Sequence, residues 1–480
     1  MKSAFVDRYV RKLQSARGIT LQEMSRMLGY SSQTSLTRIM QETASHSSLL
    51  NFADRLRSCE RLALSTTERN QLDDLIELHE IGGEDFETML KLRQLLRGET
   101  PSDGRPLRLI GRDGSESTFL AHFAGMRIRR MLLLNSERAP IFQDLSLILE
   151  QGSFELEHWQ YVKNGVMHTV VLLHAAMPLL YSPRYFSRTF SYDESADTPR
   201  GLMTSDILFC EYEQSDGMAA TEMIVFDSLQ TGQLLPIGSS IDDIMRFLPD
   251  RQLMRDMRIC IAGTDILQYN AFRAELERNH TVCRINPDLG LEQIPLSILI
   301  SAITDTAPPE LLQTFSPLMT AFAERQRNIL EKDVPQYHIL KRNAMQRFVQ
   351  TGRISNHPWC CRAFTMQERA AILHFLREKL ITRPGFHLHF LKDEAVLRDD
   401  EIILYEDRGL SIIKAGADYH LSSHHAEILI TQPDILKAFK RFFMESTLRY
   451  RVDSEEKSAA EIDRLIAFCE RECQQELTQN

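Results

Sequence analysis

The chain of 480 residues contains no apolar run long enough to cross a bilayer. Its longest runs, residues 170–181 and 294–303, fall short of the roughly 20 residues a membrane helix needs. No secretory leader is expected either. The first residues, MKSAFVDRYVRKL, place charges among apolar side chains at helical spacing, so a cytoplasmic location is expected. The eight cysteines form neither a C-x-x-C pair nor a disulfide framework, and reduced thiols are expected. No phosphate cradle of the G-x-x-x-x-G-K-S/T or G-x-G-x-x-G kind occurs, and no G-x-S-x-G nucleophile elbow. His389 is followed by Phe390, Leu391, Lys392 and Asp393, which misses the His-x-Lys spacing of phosphodiesterase-like folds. No internal repeat or low-complexity tract is legible.

Metal chemistry is equally sparse. His387 and His389 alternate on an expected strand and so face one side of it. His424 and His425 are adjacent, and His357 precedes Cys360 and Cys361, but no second pair stands at zinc-ligand spacing. Core or surface histidines are the expected reading. No catalytic residue, cofactor or metal is assigned, and the chain is expected not to be an enzyme.

What the sequence does carry lies near its start. Thr20 followed by Glu23 forms a capping box, so a helix begins there. Met24, Met27 and Leu28 give that helix one apolar stripe, and Gly29 stands where a left-handed residue would end it. After Tyr30 and Ser31, a second segment sets Leu36, Ile39 and Met40 on one face. Its opposite face carries Ser32, Gln33, Thr34 and Arg38, side chains able to hydrogen-bond base edges in a major groove.

Net charge is −10, which argues against a nucleic-acid binder, but the charge is unevenly spread. Residues 1–60 hold nine Lys/Arg and five Asp/Glu, a balance of +4, so the remainder carries −14. A basic head on an acidic body fits a DNA-binding module joined to something else.

With the helix pair laid out, residues 1–60 resemble the Cro/repressor-type (XRE-like) helix-turn-helix domains of bacterial and phage regulators. Thr20, Met24, Ser25, Leu28, Gly29, Tyr30 and Ser31 match the first part of that pattern, and Leu36, Thr37, Arg38 and Ile39 the second. Leu21 stands where the family has Gln, and Gln41-Glu42 where it has Asn-Gly. The resemblance implies base reading by Gln33, Thr34 and Arg38, with Ser32 and Thr37 flanking or on phosphates. Gln22, Arg17, Arg26 and Lys12 are the further phosphate candidates.

The rest of the chain reads as an α+β multidomain protein: an all-α head followed by a mixed α/β body. The turn-rich stretch 98–106 is the clearest linker. Expected domains are 1–98, a helix-turn-helix head with trailing helices; 107–330, an α/β body; and 331–480, an α+β C-terminal domain. Strands are expected near 128–134, 154–159, 206–210, 222–226, 258–262, 386–391, 401–405, 410–414 and 427–430. Helices are expected throughout 292–350. Residues 181–186 and His158-Trp159 are read as corner packing or the lining of a small-molecule pocket. One face of the C-terminal helix (Ile462, Leu465, Ile466, Cys469) is read as a dimer contact or a contact with its own domain.

The function expected on this reading is a sequence-specific, DNA-binding transcription regulator. Its partners would be double-stranded DNA, a second copy in a homodimer, and a small-molecule effector sensed by the body. A protein-docking scaffold, or an enzyme with an unrecognised body, is the alternative.

Overall fold

The computed structural model describes residues 2–40, 45–81, 86–97, 107–135, 139–162, 166–180, 182, 184–191, 206–227, 231–246, 255–256, 258–260, 266–303, 315–331, 333–354, 361–392, 400–413, 427–431 and 433–479. The expected linker at 98–106 lies outside them. The architecture is α+β, with N-terminal helices followed by a mixed α/β body built on two sheets. Among the described residues no helix is long and apolar enough to cross a membrane.

The chain forms two compact units, one of residues 1–96 with 441–451, the other of residues 97–440 with 452–480. The boundary expected at 330/331 falls within the last turn of the helix Phe315–Glu331, inside one sheet's crossover.

The first unit contains α1 (Lys2–Arg17), α2 (Leu21–Met27), α3 (Gln33–Met40), α4 (His46–Ser58), α5 (Thr66–Ile81) and α6 (Phe86–Leu96). The Thr20–Glu23 capping box is formed in both directions. Gly29 adopts φ +70°, which an L side chain resists, and turns the chain sharply after α2. The small, buried Ser25 donates its hydroxyl to the Ser32 carbonyl at 2.9 Å and ties α2 to the start of α3. Arg55 of α4 donates to the Leu28 and Gly29 carbonyls, each at 2.9 Å, and stacks its guanidinium 4.6 Å from the Tyr30 ring centroid. These contacts satisfy the carbonyls left open where α2 ends.

The return of residues 441–451 to this unit has a specific cause. Arg93 of α6 and Asp74 of α5 are buried and paired at 2.7 Å. Ser446 accepts a second Arg93 hydrogen bond at 2.6 Å, and Arg451 reaches Asp74 at 3.0 Å. A buried arginine and aspartate left without these partners would be costly, so the π-helical segment Phe442–Arg451 is held where it is.

The second unit contains β1 (Arg108–Ile110), β2 (Glu116–Thr118), α7 (Phe119–Phe123), β3 (Arg127–Leu134), α8 (Ala139–Gln151), β4 (Glu155–Val162), α9 (Val166–Leu180), β5 (Tyr185–Ser191), β6 (Ile207–Glu213), β7 (Ala219–Phe226), β8 (Thr231–Ile237), α10 (Ile241–Met245) and β9 (Arg255–Asp256). It continues with β10 (Arg258–Cys260), α11 (Ile266–Asn279), β11 (Val282–Asn286), α12 (Leu296–Ala302), α13 (Phe315–Glu331), β12 (Gln336–Leu340), α14 (Arg342–Thr351), α15 (Met366–Thr382), β13 (Phe386–Phe390), β14 (Glu401–Tyr405), β15 (Gly409–Ile413), β16 (Glu427–Ile430), α16 (Pro433–Arg441) and α17 (Glu455–Gln479).

These elements repeat one topology twice. In the nine-stranded first sheet the central strands run β5-β4-β3-β6-β7-β8, flanked by β9 beside β5 and by β1 and β2 beyond β8; in the seven-stranded second they run β13-β12-β11-β14-β15-β16, with β10 beside β16. In each, three parallel strands are joined through helical crossovers, and the first of them pairs antiparallel with a three-stranded meander. A helix follows the last meander strand in both, α10 after β8 and α16 after β16. The duplication is absent from the sequence as a repeat and is carried by topology alone.

The inner parallel strands are buried on both faces and so lack polar–apolar alternation. All five residues of β11, VCRIN, are buried, and β12, QYHIL, lies inside a region expected to be helical. That expectation fails because burial on two faces permits a short strand without period-2 patterning.

Candidate functional site

The residues assigned to DNA reading take different positions. Gln22, Ser32, Gln33, Thr34 and Arg38 are exposed on α2, α3 and the turn between them. The Thr37 hydroxyl is spent on the Gln33 carbonyl at 3.1 Å, within its own helix. Arg17 is no phosphate contact. Its two terminal nitrogens donate to the two Glu68 oxygens at 2.8 Å each, and its Nε to the Leu62 carbonyl at 2.7 Å. The Arg17 guanidinium beside it, helped by Ser65, holds the Glu68 carboxyl at about 2. Arg17 therefore closes the helical unit internally.

The candidate histidine pair does share one face of β13. His387 Nδ1 is hydrogen-bonded to Glu455, and His389 Nδ1 to the Asp453 carbonyl, so both anchor the start of α17. His357, His424, His425 and Cys360 lie outside the described residues. His158 and Trp159 are interior packing on β4, and the His158 ring bonds the Tyr185 hydroxyl at 2.7 Å. The apolar face of α17 is buried in its own unit, against the same core as Ile372, Leu373 and Leu376 of α15. An open groove of about 750 Å³ between α7, α8 and the start of β3 is lined mainly by apolar side chains such as Leu120, Phe123 and Leu147.

A denser concentration of polar chemistry lies under the second sheet. Along β11, Val282, Arg284 and Asn286 point to one face, and His338 of β12 stands beside Arg284 in the ladder. On β14, Tyr405 opposes Val282. Helices α11 and α13, with the one-turn helix Leu291–Gln293, supply the facing groups.

Arg284 donates to Glu277 at 2.8 Å and to Glu292. Arg325 donates to Glu277 at 3.0 and 3.1 Å, with Glu292 at 3.8 Å. Arg273 reaches the Tyr405 hydroxyl at 3.1 Å and Glu401 at 3.8 Å. Three arginines and three glutamates thus balance in one layer. Burial alone would raise the Glu292 carboxyl, but Arg284, Arg325 and Arg273 hold it well below the usual carboxylate range.

His338 has a determined tautomer. Gln293 Oε1 accepts the Gly290 N–H at 3.0 Å, which fixes its amide so that Nε2 donates to His338 Nδ1 at 2.7 Å. The imidazole proton therefore sits on Nε2. Burial, then Arg284, lowers the His338 pKa to about 3, so the ring is neutral. Its Nε2–H meets no acceptor among the described residues, and neither does Arg284 Nε.

Asn286, only 2% exposed at the carboxyl end of β11, has no hydrogen-bond partner for either side-chain heteroatom among the described residues. Ligands of open α/β sheets gather at the carboxyl ends of strands. The face thus offers three N–H donor groups and one carbonyl acceptor in a layer whose charges already cancel. This arrangement suits a small, uncharged molecule rich in acceptor oxygens.

Sequence reasoning missed this layer for a clear reason. Arg284, Glu277, Glu292, Arg325 and His338 come from five elements, and no local spacing links them. One signal was available: an arginine and an asparagine inside VCRIN, a stretch otherwise apolar enough to be interior.

The first repeat holds its own version of the central histidine. His158, like His338, lies on the middle parallel strand and is fully buried, packing 5.3 Å from Phe142 of the crossover helix α8. The residue beside it on β3 is Leu133, where β11 has Arg284. The charged layer is thus a feature of the second repeat.

No family model and no curated protein matches the chain. Among solved structures, the chain is similar to a polyphosphate kinase from Porphyromonas gingivalis, 13% identical, over 74% of this chain and 53% of that one, with a TM-score of 0.21. The chain thus matches about half the length of that kinase. The expectation of a sequence-specific transcription regulator is corrected: no comparison points to DNA binding, and Arg17, assigned to a phosphate, is spent on Glu68 within the helical unit. A TM-score this low carries no argument for kinase activity either.

Proposed function

We propose that the protein is a non-enzymatic binding protein. Its second unit takes a small, uncharged, acceptor-rich molecule against Asn286, Arg284 and His338. The observation that carries this reading is the Asn286 carboxamide, buried at a strand's carboxyl end with neither atom partnered among the described residues. A buried amide left so costs about 1–3 kcal/mol, a penalty that a bound acceptor would remove.

The non-enzymatic part is supported by the state of the groups that could do chemistry. Burial pushes the thiols of Cys283 and Cys469 up to about 12 and about 11, and Cys210 higher still, all far from thiolate. His338 is too weak a base at neutral pH to take a proton. A cytoplasmic location belongs to the same proposal and is supported by the reduced thiols of Cys59, Cys210, Cys283, Cys361, Cys469 and Cys473.

The test is thermal unfolding of the wild type and Asn286→Leu, each with millimolar monosaccharides, nucleosides and neutral amino acids. A ligand-seating residue is stabilising to remove. Asn286→Leu should be more stable than the wild type without additives, by up to about 1–3 kcal/mol, and should lose any additive-induced rise. A destabilised Asn286→Leu, with no additive raising the wild-type midpoint, would refute the reading.

A further inference from the structure

A second concentration of ligating groups lies at the opposite end of β11 from Asn286. His280 closes the link from α11 into β11, and Glu406 and Asp407 form the turn between β14 and β15. Because β11 pairs with β14 in a fixed antiparallel register, Val282 opposite Tyr405, the ladder itself carries His280 to that turn. One ligand atom from each of His280, Glu406 and Asp407 lies within 4.8 Å of the others. Ligands about 2.1 Å from one ion lie roughly 3–4 Å apart, so small side-chain adjustments close the set around a single cation.

We propose that His280, Glu406 and Asp407 form a divalent transition-metal site, fitted to Zn²⁺ or Mn²⁺. An imidazole with two carboxylates is a mixed nitrogen–oxygen set, which suits these ions better than Mg²⁺ or Ca²⁺, whose preferred ligands are oxygens alone. Three protein ligands leave further coordination positions for water.

The surroundings say how the site is held without an ion. Glu406 Oε1 is paired with the Lys440 ammonium at 3.1 Å, and its Oε2 faces the Thr281 N–H at 3.4 Å. Lys440 neutralises one of the two carboxylates, and its side chain is half exposed, so it swings away at little cost. It is the direct competitor of the metal. The His280 backbone is tied separately, its carbonyl accepting from Gln336 Nε2 at 3.5 Å, which leaves the imidazole as the adjustable part.

Competition by Lys440 gives a test with opposing signs. Isothermal titration of the full chain with ZnCl₂ and with MnCl₂ is expected to show one site per chain. His280→Ala and Asp407→Asn should each weaken it at least about tenfold, the scale on which even supporting residues of metal sites act. Lys440→Met should tighten it several-fold, because the ion no longer displaces an ammonium. His280 and Asp407 are not buried, so both variants should keep the wild-type unfolding midpoint without metal. Binding unchanged in His280→Ala, or no binding by the wild type, overturns the proposal. Weaker binding in Lys440→Met would overturn the competition.

Discussion

Replacing Glu277 by Gln removes one negative charge from the centre of the buried layer and almost no volume. Glu277 is fully buried and accepts from Arg284 at 2.8 Å and from Arg325 at 3.0 and 3.1 Å. At an effective dielectric of about 20, each close pair is worth about 4 kcal/mol of attraction, offset by the cost of desolvating the carboxylate. Glu292 remains to serve two arginines, with Arg325 at 3.8 Å from it. The expected net loss is about 3–5 kcal/mol, as for other broken buried pairs.

Hydrogen exchange of the Val282–Asn286 amides reads this locally and independently of the helical unit. It should quicken by roughly 10²- to 4 × 10³-fold, at about tenfold per 1.4 kcal/mol. Adding Arg325→Met to Glu277→Gln restores charge balance, with Arg284 still paired to Glu292. The double variant should recover about 1–3 kcal/mol relative to the sum of its parts. A single variant that loses under about 1 kcal/mol, with a strictly additive double, would refute the account of the layer as a mutually dependent charge network.

Two further outcomes follow from the same structure. Gly352 ends α14 with φ +68°, and a Cβ there would collide with the Phe364 carbonyl, so Gly352→Ala should cost at least about 2 kcal/mol in urea unfolding. A neutral Gly352→Ala would show that this turn shifts freely. His338 titrates at about 3 in the fold against 6.5 ordinarily, so the unfolded chain binds a proton in that window and the folded one does not. The histidine's share of stability is full above pH 6.5 and falls as pH drops toward 3. The urea midpoint of His338→Asn should fall less than the wild type's between pH 7 and 4, and parallel curves would contradict the buried neutral ring.

What was legible in the sequence is what local rules govern. The Thr20–Glu23 box, the left-handed Gly29 and the apolar stripes of α2 and α3 each depend on residues within a turn or two. Strands such as Arg127–Leu134 and Glu401–Tyr405 were also readable, because an apolar run with turn signals on either side needs no distant partner to be recognised. The function drawn from the helix pair went further than such rules reach. An exposed polar helix face can be read locally, whereas the commitment of Arg17 depends on Glu68, 51 residues away.

The tertiary structure alone decided the rest. The duplicated strand order joins segments whose sequences share no visible repeat, since topology constrains burial and direction rather than identity. The strands Val282–Asn286 and Gln336–Leu340 are short, and β11 is wholly buried, so the periodic signal that would announce them is erased. The charged layer, the buried Asn286 with no partner among the described residues, and the His280–Glu406–Asp407 cluster each depend on the sheet register. A chain determines its local turns through neighbours in sequence, but a buried charge is tolerable only where folding brings its partner, and that pairing is a property of the packed sheet.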